Sequence, residues 1–119
     1  MRFAIVCTDV LFRSKVRDAI RAEGHEPVAI ASLQAMPEDL AGAIIDLNDA
    51  RLDPIEAITA LTQLVPRERL LGFGSHVRPD LLEDGRNAGC GLVVPRSKAV
   101  RAIGEMLRGE TFGGSDIGD

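Results

Sequence analysis

Asp46 ends the apolar run "AIIDL", and an acidic side chain in that place needs either a use or a partner. Cys7, Asp46 and His76 are the residue types of a nucleophile, an acid and a base, and a catalytic triad would need the histidine between the other two. Asp9, Asn48, Ser75 and Arg96 form a second group, whose carboxylate, amide, hydroxyl and guanidinium would suit a phosphate or small-ligand pocket. A metal centre built on thiols is not indicated. Cys7 and Cys90 are separated by most of the chain, which gives neither a disulfide framework nor a zinc-ligand spacing, so both are expected as free thiols.

These residues must be positioned by short elements. "RFAIVC" (2–7), "PVAIA" (27–31), "AIIDL" (43–47), "LLGFG" (70–74) and "GLVVP" (91–95) read as five strands. Their near-continuous hydrophobicity fits strands covered on both faces, as in a parallel sheet. The first helix is expected over 11–23, with Phe12, Val16, Ala19 and Ile20 inward and Gly24 as its stop. Asp53 and Pro54 mark the start of a second helix, with Ile55, Ile58, Leu61 and Val65 as its buried stripe. A third helix lies within 78–90, with Leu81, Leu82 and Ala88 inward, Gly89 closing it and Gly85 weakening its middle. Ser97 is expected to cap the last helix, which turns Val100, Ile103, Met106 and Leu107 to the sheet. The segment 32–42 carries Pro37 and has room for only a turn or two. Alternating strands and helices of this length imply an open parallel α/β sheet.

Composition narrows the function. The 119 residues fit one domain over 1–109, with a Gly-rich polar tail over 110–119 expected to be mobile. A net charge of -4 argues against direct nucleic-acid binding, and with no Trp or Tyr and four Phe there is little to stack bases on. No apolar stretch approaches the ~20 residues of a membrane span, and strand-like residues begin almost at Met1. A cytoplasmic protein without membrane contact is the expectation.

The element order, the strand-ending "IIDL", the "NAGC" at a helix end before the last strand, and the proline after that strand together resemble the response-regulator receiver domain. The resemblance spans 2–109 and implies a flavodoxin-like (βα)5 three-layer sandwich with sheet order 2-1-3-4-5, here with a shortened second helix. Receivers place two acidic residues after the first strand, a phosphoacceptor Asp after the third, a hydroxyl after the fourth and a Lys-Pro pair after the fifth. In this chain the acceptor position falls on Asp46 and the acidic pair on Cys7 and Thr8, with Asp9 one place late. The hydroxyl position falls on Gly74, beside Ser75, and the Lys-Pro pair becomes Pro95-Arg96. Mg2+ seeks hard oxygen ligands, so loss of both first-strand carboxylates removes much of its site.

The resemblance also places the third strand between the first and fourth, so that Asp46 would separate Cys7 from His76, the wrong order for a triad. No enzymatic activity, no metal and no cofactor are therefore expected, with Mg2+ entering only if Asp46 accepts a phosphoryl group. The reading is a stand-alone, degenerate receiver-like module acting by protein-protein binding. The two alternatives are a phosphorylatable receiver using Asp46 and a small-ligand sensor at the C-terminal edge of the sheet. By analogy with receivers, partners or a second copy would dock on the last two helices and last strand, through Arg78, Leu82, Arg86, Arg96, Arg101 and Met106.

Overall fold

The five apolar runs become β1 (Arg2–Val6), β2 (Glu26–Ala29), β3 (Gly42–Asp46), β4 (Leu70–Gly74) and β5 (Leu92–Pro95) in a computed structural model that describes residues 1–110. The expected tail lies, beyond Glu110, outside the described residues. All pairings are parallel and the order is β2-β1-β3-β4-β5, as the flavodoxin-like expectation requires. Every residue of β3 and β4 is buried, which is why these strands lack in-out alternation in the sequence.

Helices α1 (Val10–Ala22) and α4 (Ala99–Leu107) cover one face of the sheet, and α2 (Pro54–Leu61) and α3 (Pro79–Ala88) cover the other. Successive strand residues serve opposite faces. Phe3, Ile5, Ile44, Leu71 and Phe73 pack with Val16, Ile20 and Ile103, whereas Ala4, Val6, Ala43, Ile45 and Leu70 pack with Ile58, Leu61 and Leu82. Each fully buried Val, Leu, Ile or Phe among them contributes about 1.5–3 kcal/mol relative to exposure. Helix ends follow local chemistry: Asp9 accepts from the Phe12 N–H at 3.0 Å, and Asp53 accepts from the Glu56 N–H at 3.2 Å ahead of Pro54. Gly24, at φ +82°, takes the left-handed conformation that ends α1. Between β2 and β3 the chain makes only the single 3-10 turn Leu33–Ala35, in keeping with the short crossover.

Several sequence expectations are corrected. Val100 is 44% exposed, and the inward row of α4 is Ala99, Ala102, Ile103 and Met106, a strict i, i+3, i+4, i+7 stripe. Ile55, in the first turn of α2, is 37% exposed, and Ala57 is buried instead. Ser97 caps nothing: the 3-10 turn Arg96–Lys98 starts directly after Pro95 and runs into α4, so Ser97 sits inside it. Gly85 is a packing residue, since a Cβ there would stand 2.8 Å from Leu47 Cδ1. Leu82 and Met106, assigned to a docking face, belong to the core because the inward stripes of α3 and α4 pass through them. Cys7 and Cys90 are buried and free, as expected.

Candidate functional site

Parallel strands bring their C-terminal ends to one edge, and there β1, β3 and β5 deliver Cys7, Asp46 and Arg96 to a common point. Asp46, only 3% exposed, is one of two buried acidic residues among those described. Its Oδ1 accepts from the Asn48 N–H at 2.9 Å and lies 3.5 Å from the Arg96 guanidinium, while its Oδ2 lies 3.6 Å from Cys7 Sγ. Burial pushes the Asp46 carboxyl above the usual carboxylate range, and the Asn48 N–H and the Arg96 charge pull it back only in part.

Arg96 also reaches Asp9 at 3.7 Å, so from just past β5 it bridges the N-cap of α1 and the end of β3. Its guanidinium lies over two rings, 5.2 Å from Phe12 and 5.6 Å from Phe73. The planar cation is thus held by stacking, and its ion pairs are longer than the 2.7–2.9 Å of tight charge-assisted bonds.

Cys7, just past the end of β1, carries a thiol whose pKa is pushed up to about 12, by burial first and then by the neighbouring charge of Asp46. It is a protonated thiol at neutral pH and a weak nucleophile. His76 lies exposed in the loop after β4, and β3 stands between β1 and β4, so Asp46 separates Cys7 from His76 and the histidine-centred order of a triad is absent. Ser75 turns its Oγ to the Val77 N–H of its own loop at 3.3 Å. At Gly74 a Cβ would come within 2.9 Å of Asn48 Oδ1, which itself accepts from the Ser75 N–H at 2.8 Å. The Asn48 amide therefore fills the space above Gly74 where a hydroxyl side chain was expected.

Asp49 escaped the sequence reading. It is 6% exposed and accepts four hydrogen bonds: from the Thr8 N–H at 2.5 Å, the Thr8 hydroxyl at 2.8 Å, and the Arg51 and Leu52 N–H groups at 2.9 and 3.2 Å. Burial alone would raise its carboxyl, but the bonds from Thr8, Arg51 and Leu52 outweigh it and hold the group below the usual range. The local half of this pattern, an Asp followed two and three residues later by free N–H groups, was legible as an Asx turn. Its long-range half, the tie to Thr8, was not.

Cys7, Asp46 and Asp49 place one ligand atom each within 4.8 Å of one another, which raises the question of a metal. All four carboxylate oxygens already face donors, with Asp46 facing Asn48, Arg96 and Cys7, and Asp49 facing Thr8, Arg51 and Leu52. A thiol with so high a pKa adds no hard oxygen. This donor set does not match the octahedral oxygen shell that Mg2+ demands.

The docking positions that remain exposed are Arg78, Arg86 and Arg101, each paired with a nearby acid: Asp80 at 2.9 Å, Glu83 at 3.2 Å and Glu105 at 3.2 Å. Arg96 is only partly exposed and turned into the site.

A parallel five-stranded sheet in this order is the flavodoxin-like α/β fold, here with an acidic residue buried at the end of its central strand. Among solved structures of similar fold are response-regulator receivers. A response regulator receiver protein from Pseudoalteromonas atlantica superposes with a TM-score of 0.73 at 12% identity, covering 92% of this chain and 95% of that one. A CheY-like receiver domain protein from Methanospirillum hungatei JF-1 gives 0.70 at 18% identity, with 91% and 94% covered. A response regulator protein from Burkholderia pseudomallei, described with a phosphorylated aspartic acid, calcium ion and citrate, gives 0.76 at 16% identity, covering 98% of this chain and 70% of that one. No protein-family model matches the sequence, and no curated protein matches it. At these identities the likeness establishes the fold.

Proposed function

We propose that the chain is a receiver-like signalling module that acts by binding other proteins, and that Asp46 serves as the anchor of an internal ion pair and not as a phosphoacceptor. The observation that carries this reading is the Asp46–Arg96–Asp9 bridge, with a buried thiol beside it where a metal-binding carboxylate would stand. Phosphoryl transfer to an aspartate needs a divalent cation to offset the charge that gathers on the phosphoryl oxygens. In this reading Arg96 supplies a fixed positive charge to the resting protein, so the carboxylate is neutralised without a metal. The module works in the cytoplasm, has no catalytic activity of its own and contacts a signalling partner or a second copy through α3, β5 and α4. Arg78, Arg86 and Arg101 are the charged residues offered on that surface.

The test is a two-dimensional amide NMR titration of the labelled protein with Mg2+ and then beryllofluoride, which mimics a phosphoryl group on aspartate. The expected result is no saturable movement of the Asp46, Ser75 and Arg96 signals. Saturable, Mg2+-dependent shifts there would restore the phosphorylated-receiver reading and end this one.

A further inference from the structure

Outside the Asp46 bridge, between α1 and the start of α4, lies a cleft of about 400 Å³ lined by Phe12, Lys15, Ser75, His76, Arg96 and Val100, together with Ser97. Its titratable lining is entirely basic in character, Lys15, His76 and Arg96, on a chain of net charge -4. Lys15 and His76 form no ion pair among the described residues. Lys15 brings to the cleft a cation with no ion pair among the described residues, and an anion seated beside it and Arg96 would gain from both charges. Phe12 and the 44%-exposed Val100 add apolar wall, so the cleft offers a flat hydrophobic body somewhere to rest.

We infer that this cleft binds a small anionic ligand with a planar apolar body, an aryl phosphate or aryl carboxylate, and that the bound anion draws Arg96 away from Asp46 and Asp9. The inference rests on the reading of Arg96 as the partner of Asp46. Arg96 is the member shared by both sites, and its contacts at 3.5 and 3.7 Å leave its donors only weakly committed. Charge-assisted bonds to an incoming anion at 2.7–2.9 Å are stronger than those contacts, so the anion competes effectively for the guanidinium. Ligand occupancy would then be felt at the end of β3, as phosphorylation is felt in a receiver, with no covalent step.

The probe is phenyl phosphate, with inorganic phosphate and benzyl alcohol as its charged and apolar halves. Arg96 Nε–H and the Asp46 and Asn48 amides are followed by NMR at low salt without Mg2+. Phenyl phosphate should shift all three saturably and bind more weakly as salt is raised. The double variant K15Q/H76Q, which alters two exposed side chains outside the core, should bind it about tenfold more weakly. No saturable shift, equal shifts with benzyl alcohol, or unchanged affinity in the double variant would each overturn the site. Equal affinity for inorganic phosphate would overturn the apolar half of the ligand assignment. A shift at His76 that leaves Asp46 and Asn48 still would overturn the coupling. The beryllofluoride response reports separately on the Asp46 reading, because it requires Mg2+ and these titrations contain none.

Discussion

Replacing Asp49 by alanine removes, from a 6%-exposed position, a carboxylate that accepts four hydrogen bonds. Hydrogen bonds to a charged group contribute about 1.5–3 kcal/mol each, but water can reach the N–H of the exposed Arg51, and neighbouring bonds are not additive. Counting the two Thr8 bonds near the low end of that range gives an expected loss of about 3 kcal/mol. Urea unfolding at neutral pH measures it, and a double-mutant cycle with Thr8→Val isolates the hydroxyl bond, with an expected coupling of about 1 kcal/mol. The sign with pH follows from the lowered carboxyl. Asp49 contributes stability above its unfolded value of about 4, and that contribution is lost as pH falls through the lower folded value. The gap between wild type and D49A should therefore narrow in acid. A loss below about 1 kcal/mol, or a gap that does not change with pH, would refute the claim that this carboxylate ties the first strand's loop to the third's.

Asp46 has the opposite sign. Its carboxyl is raised on folding, so its favourable contribution is complete below about pH 4 and lost as pH rises through the folded value. Asp46→Asn, whose carbonyl still accepts the Asn48 N–H, should equal wild type in stability near pH 3 and exceed it at pH 7; a variant that is less stable at pH 7 would show that the Arg96 pair outweighs burial. Cys7 and Cys90, both buried with thiols pushed up to about 12, should resist a thiol reagent in the native protein and react on unfolding. Labelling of either at the rate of a free thiol would mean that its shell opens far more readily than its packing implies.

The strands were legible because burial on both faces writes itself as uninterrupted apolar runs, as "LLGFG" shows. The short crossover was legible from Pro37, whose ring forbids a long helix. Helix phase was harder. Val100, expected inward, is exposed, because the α4 stripe runs through Ala99 and Ala102, whose small size lets the helix lie against the sheet. Leu82 and Met106 fit their helices' inward stripes in the sequence, and only the analogy with receivers placed them on a docking face. At the site, Asp46 and Arg96 were legible as neighbours, since both positions follow from the ends of their strands. Asp49 was not, because two of its four hydrogen bonds come from Thr8, 41 residues away, which meets it only once β1 pairs with β3.

The missing crossover helix leaves the sheet unevenly insulated. On the face that α2 and α3 cover, the β2 end is closed only by the 3-10 turn, and Val28, Leu33 and Met36 remain partly buried there. β2 is also a four-residue edge strand, paired on one side alone, whereas β3 lies buried between two neighbours. Cooperative free energy should thus fall off across the sheet. The β2 amides should exchange with solvent through local opening, while those of β3 and β4 wait for global unfolding. The domain has a soft margin at β2, on the far side of β1 from the strands β3, β4 and β5 that lead to Asp46 and Arg96.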